Sequence, residues 1–108
     1  MDEIVVFITT PTKEEAEKIG RVVVENRLAA CANILPSVNS IFSWKGKICR
    51  EEEALMLLKS RAALFEKLSE TVKKYHSYAV PEIIALPISA GSPDYLQWLQ
   101  ENASPEKE

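Results

Sequence analysis

One histidine and two cysteines in 108 residues exclude several kinds of protein at once. Cys31 and Cys49 are too few to staple a domain of this size, and a reducing compartment keeps both as thiols. With no CxxC and a single imidazole, His76, one chain cannot build a tetrahedral zinc site of conventional spacing. Long hydrophobic runs are missing too: a stretch such as residues 4 to 8 falls far below the ~20 residues of a membrane span. Asp2 and Glu3 stand where a secretory signal is basic, so a cytoplasmic protein with no membrane partner is expected. Thirteen scattered basic residues against sixteen acidic ones give a net charge of −3, a poor footprint for a polyanion, and nucleic acid is not an expected partner. GxSxG, P-loop and paired-carboxylate motifs are all lacking, which speaks against an enzyme.

What is present is an ordinary globular composition, 46% hydrophobic, with no low-complexity segment and no internal repeat. The length suits one layered domain, residues 1–102, with a polar tail, 103–108, expected to fray. Residues 3 to 10 read as a buried strand ended by Pro11. Thr12 and Glu15 form a capping box for a helix to about Asn26, with Ala16, Ile19 and Val23 on its inner face. Strands are expected at 30 to 35 and, after Pro36 and Ser37, at 38 to 44, followed by a hairpin turn pivoting on Gly46. Residues 48 to 50 return from it, and 54 to 58 form a further buried strand ending at Lys59. Ser60 is the expected cap of a second helix with Leu64, Leu68, Val72 and Tyr75 inward. A last strand, 82 to 88, carries Pro87 and should lie at an edge. Ser92 and Pro93 open a short third helix. The order gives an α+β class: a ferredoxin-like βαββαβ antiparallel sheet with an additional C-terminal helix.

Both main helices of that architecture pack on one face of the sheet, so the strands should alternate apolar and polar if the other face were wet. Residues 4 to 8, 54 to 58 and 83 to 86 do not alternate. Roughly six large apolar side chains, at ~1.5 to 3 kcal/mol each, would then face water in a monomer, a sum that rivals the ~5 to 15 kcal/mol stability of a whole domain. Self-association into an oligomer is expected, and a site with too few ligands in one chain can be completed across its interface.

Chemistry concentrates in His76-Ser77-Tyr78-Ala79-Val80-Pro81-Glu82-Ile83, which holds the only imidazole, a phenol and a carboxylate. Cys31 adds a thiol, so His76, Cys31 and Glu82 are three potential metal donors from distant places. The plainer readings are a helix-terminal cap for His76, small-residue packing for Cys31 and an anchoring ion pair for Glu82, with Lys59 as the natural partner. Tyr78, Trp44, Tyr95 and Trp98 can roof a pocket or fill an interface, and the run Glu51 to Glu53 reads as a solvated corner.

Taken as a set, Arg27-Leu28-Ala29-Ala30-Cys31, Ser40 with Trp44-Lys45-Gly46-Lys47, Lys59, the segment from His76 to Ile83, and Tyr95-Leu96-Gln97-Trp98 closely resemble the CutA divalent-cation tolerance family over residues 3 to 100. The resemblance implies a homotrimer similar in architecture to PII signalling proteins, a role in divalent-ion tolerance, and copper or another divalent cation as a ligand that is not obligatory for the fold. The PII-like architecture also makes an alternative reasonable: a signalling or scaffold trimer that takes a small molecule or partner protein in clefts between subunits. The chain departs from the family pattern at Ser77, Ala79 and Phe42, and has Ile8 and Tyr75 where some bacterial members that look like copper binders have cysteine and histidine.

Overall fold

A computed structural model describes residues 2–105. β1 (Glu3–Thr10) leads into α1 (Lys13–Glu25), then β2 (Cys31–Trp44), β3 (Lys47–Arg61), α2 (Phe65–Tyr75), β4 (Ile83–Pro87) and α3 (Pro93–Asn102), with a 3-10 turn at Ala62–Leu64. The strands form one antiparallel sheet in the order β2-β3-β1-β4, the expected split βαβ arrangement with its extra helix.

Two pairs of expected strands are each one continuous strand. Pro36 and Ser37 do not break β2, because a register shift between Leu35 and Val38 absorbs the proline's missing N–H while pairing resumes beyond it. β3 likewise runs through the acidic triplet and past Lys59 to Arg61. Ser60 is therefore a strand residue and not a helix cap: its buried Oγ donates to the Leu28 carbonyl at 2.6 Å, and α2 starts later without a side-chain cap. The hairpin turns on Lys45 and Gly46, both at positive φ (52° and 78°), the pairing that lets a two-residue turn follow the twist of its strands. Thr12 caps α1 as expected, accepting from the Glu15 N–H at 3.2 Å. The other half of the box is absent, since the Glu15 carboxylate reaches toward Ser77 and His76.

Register sorts the sheet into two faces. Ile4, Val6 and Ile8 share one with Met56, Leu58, Ala32 and Ile34, under Ala16, Ile19 and Val23 of α1 and Leu68 and Val72 of α2. Tyr75, expected inward, is exposed. Val5, Phe7, Leu55, Leu57, Leu35, Ile84 and Leu86 share the opposite face, where Leu35, Ile84 and Leu86 remain about half exposed at 46%, 53% and 54%. α3 does not roof it. That helix seats Leu99 at one end of the sheet, in a small cluster with Ala103, Ala30, Leu64 and Ile88.

β4 is an edge strand, as Pro87 required. Among the described residues no third strand pairs with the β2–β3 ribbon beyond Ala54, and the ribbon carries Ile41, Phe42, Trp44 and Ile48 exposed. Residues 103 to 105 depart from the expected fraying: Ala103 is fully buried, its carbonyl accepts from Arg61, and the Ser104 carbonyl accepts from Arg27. The rest of that tail, 106 to 108, lies outside the described residues.

Candidate functional site

Two separate polar groupings emerge from the residues singled out in the sequence. The first forms where the chain leaves α2. His76 ends that helix with an entirely buried side chain. Its Nε2 lies 2.8 Å from the Thr9 carbonyl, an acceptor only, so Nε2 carries the proton and donates. Nδ1 is thereby placed to accept from the Tyr78 N–H at 3.1 Å, and both ring nitrogens are partnered. The Glu15 carboxylate lies 3.4 Å from Nδ1 and accepts from the Ser77 N–H at 2.8 Å, pinning the turn to α1.

Tyr78 packs its ring 4.8 Å from the imidazole and donates its hydroxyl to Glu53 at 2.6 Å. Burial, followed by that hydrogen bond and the charges of Glu53, Glu51 and Glu15, pushes the phenol well above its ordinary pKa. Glu53 is buried under this contact, so the triplet is not uniformly a solvated corner. Glu51 and Glu52 are exposed, as expected.

The second grouping lies at the other end of the open face. Cys31 and Lys59 are cross-strand partners on β2 and β3, and the Lys59 ammonium donates to the Asn33 side-chain carbonyl. The Cys31 sulfur sits 3.7 Å from the Tyr95 hydroxyl and 3.9 Å from Asn33 Oδ1. Burial first, then the contact with Cys31, raises the Tyr95 phenol's pKa. The rings of Tyr95 and Trp98 are 5.5 Å apart on α3, and Trp98 closes a groove of about 730 Å³ between α1 and β2 that Cys31 also lines.

The groupings do not meet. Cys31 shares a row with Lys59 and Val5, whereas His76 bonds Thr9, four residues and about 13 Å farther along β1. Glu82 is exposed and precedes Ile83, which pairs with Ile8, while Lys59 lies in the row of Val5 and Leu86. The expected Lys59–Glu82 ion pair is therefore not formed. Among the described residues no three His, Cys, Asp or Glu side chains converge as metal ligands. Trp44 belongs to neither grouping; it is 57% exposed at the ribbon tip with Lys45 5.9 Å over its ring.

Residues that sequence reasoning passed over complete both constellations. Glu15 was legible as a capping residue, Glu53 as one of three acids and Asn33 as a strand residue. Only the strand register and the packing of α1 against the turn after α2 give them their partners.

The family model described as CutA1 divalent ion tolerance protein matches residues 4–102. The divalent-cation tolerance protein CutA of Thermus thermophilus is 50% identical over 100 residues, covering 93% of this chain and 97% of its own length. The solved structure of the Cut A1 protein from that organism superimposes with a TM-score of 0.91 over the same 93% and 97% of the two chains, at 50% identity. A structure described as the periplasmic divalent cation tolerance protein CutA from Archaeoglobus fulgidus gives 0.91 at 39% identity, over 94% of this chain and 99% of that one. The chloroplastic CutA of Arabidopsis thaliana is 44% identical over 99 residues, 92% of this chain and 54% of its own. This chain thus spans about half the length of its plant and mammalian relatives. Element order, sheet topology and a match over nearly the whole chain agree: the chain belongs to the CutA1 divalent ion tolerance protein family.

Proposed function

We propose that this chain is a cytoplasmic, non-catalytic divalent-cation tolerance protein that works as a homotrimer and binds copper or another divalent cation near its subunit boundaries. The observation that carries the reading is the open sheet face. Leaving Val5, Phe7, Leu55, Leu57, Ile84 and Leu86 against water costs on the order of 5 to 10 kcal/mol, a large part of a domain's stability, and copies of the same chain cover such a surface by symmetry. No helix among the described residues is long and apolar enough to cross a membrane.

Of the three proposed donors, Cys31 lies on that face beside Lys59, where a neighbouring copy can add ligands, and Glu82 is exposed. His76 becomes a donor only by releasing Thr9 or Tyr78. Calorimetric titration of wild type, Cys31→Ser and His76→Ala with Cu(II), Zn(II) and, separately, Cu(I) tests the proposal. Loss of Cu(I) binding in Cys31→Ser supports it. Equal affinities in wild type and His76→Ala remove His76, and no binding at micromolar strength by any variant removes the metal reading.

The saturation of His76 favours a second reading, a PII-like signalling or scaffold trimer that takes a small molecule or partner protein between subunits. The exposed ribbon tip around Trp44 and Lys45 is then the segment to mutate. A thermal-shift screen that returns only metals counts against it.

A further inference from the structure

The β2–β3 ribbon is long and weakly rooted. β1 holds β3 only as far as the Thr10–Ala54 pair, and at the same level β2 shifts register between Leu35 and Val38. Residues 38 to 53 thus leave the sheet at a bulge, as two strands alone. A two-stranded ribbon is marginal in water, and Ile41, Phe42, Trp44 and Ile48 are exposed along this one instead of packing on their own chain. Its attitude is therefore set at its root, where consecutive glutamates on opposite faces of β3 are each tied down. Glu52 accepts from Ser37, a tie between the ribbon's own two strands. Glu53 accepts from the Tyr78 hydroxyl at 2.6 Å, and among the described residues this is the one side-chain hydrogen bond from residues 38 to 53 to anything outside β2 and β3.

Tyr78 takes its own position from His76. Its N–H donates to Nδ1 at 3.1 Å and its ring packs 4.8 Å from the imidazole, which in turn is held by the Thr9 carbonyl next to the last paired residue of β1. One unbroken series of contacts runs from the end of β1 through His76 and Tyr78 to Glu53. That series is under load, because Glu53 is buried and the charges acting on the phenol, Glu53, Glu51 and Glu15, are all carboxylates. With the Tyr78 hydroxyl withdrawn, a buried carboxylate loses its donor among like charges, and it reaches water when the root of the ribbon swings out at the bulge.

We infer that Tyr78 is a strut between the His76 corner and the root of the ribbon, so that a ligand taking His76 Nδ1, or any turn of the imidazole, unlocks the ribbon and its Trp44 tip. The device rests on contacts within the one chain and stands apart from the metal reading, since any occupant of Nδ1 displaces the Tyr78 N–H.

Amide hydrogen exchange of the full-length protein, resolved by peptide and run with the oligomeric state checked by sedimentation, tests the strut. Tyr78→Phe should speed exchange across residues 38 to 53 by about tenfold or more, while residues 4 to 8 and 55 to 60 keep wild-type rates. His76→Ala should loosen the same residues, and the double variant should exceed Tyr78→Phe by nothing, because two links of one series are not additive. Glu53→Gln in the Tyr78→Phe background should restore slow exchange at least in part, since it removes the charge that drives the root outward. Loss of a merely structural hydrogen bond would not be rescued that way. Ribbon exchange unchanged in Tyr78→Phe, acceleration spread evenly over β1 and residues 55 to 60, additive effects of the two substitutions, or no rescue by Glu53→Gln each overturns the inference.

Discussion

One face of the sheet carries Ile4, Val6, Ile8, Met56 and Leu58, and the other carries Val5, Phe7, Leu55, Leu57, Ile84 and Leu86. By composition the two are hard to tell apart. They differ in what lies on them: the thirteen residues of α1 and eleven of α2 close the first, whereas the ten residues of α3 are held at one end of the molecule by Leu99, Arg27 and Arg61. The same inventory of aliphatic side chains thus provides cohesion within the chain on one side and, in the proposed trimer, a surface for other copies on the other.

The sharpest way to break that contrast uses two adjacent residues. Leu57 faces out and Leu58 faces in. Leu57→Glu places a charge in the proposed interface, and sedimentation should report a threefold drop in mass with the subunit fold kept by circular dichroism. Unchanged mass would mean that this face does not hold the oligomer. Leu58→Ala should leave the assembly state alone and instead cost about 2 to 5 kcal/mol in denaturant unfolding, because a fully buried side chain leaves a cavity that its neighbours fill only in part. A loss below 1 kcal/mol would show that the covered face repacks freely.

The presence of two apolar faces, one of them uncovered, is legible in the linear pattern, since unbroken apolar strands and too little helix are features of it. Residues such as Ser60 are not: a serine before an apolar periodic stretch is a sound cap signal, yet here its hydroxyl satisfies the buried Leu28 carbonyl across 32 positions of chain. Strand ends at Pro36 and Lys59 failed for a related reason, because pairing with a long partner strand overrides local breakers. The candidate site was legible as a set of residues and illegible as a geometry. His76, Tyr78, Cys31, Lys59 and Tyr95 all make specific contacts, but whether they form one group or two depends on a register that no short motif encodes.

A second contrast, of smaller energetic size, separates the closed His76 corner from the more open Cys31 corner. His76→Ala strips the Thr9 carbonyl and the Tyr78 N–H of their partner, and should cost about 1 to 3 kcal/mol. The same geometry fixes the tautomer: nitrogen NMR of the neutral ring should place the proton on Nε2. A proton on Nδ1 would mean that Tyr78 N–H does not donate to the ring and that the corner is looser than described.

The two tyrosines give the smallest and most selective test. Tyr78 is held protonated by burial and by its bond to a buried carboxylate, so its folded pKa stands above the unfolded value of about 10. A group with a raised folded pKa contributes its full stability below the unfolded value. As pH climbs past about 10 the unfolded chain loses its proton first, the folded state binds more protons, and stability falls with rising pH. Tyr78→Phe should therefore flatten the decline in unfolding free energy between pH 9 and 11, roughly the span accessible to urea titrations around that value. Tyr95 is shifted in the same direction, chiefly by burial, but its hydroxyl meets a thiol on the open face instead of a carboxylate. Tyr95→Phe should flatten the same decline less. An equal effect of the two substitutions would erase the distinction between a corner closed by charge and one that meets only a thiol.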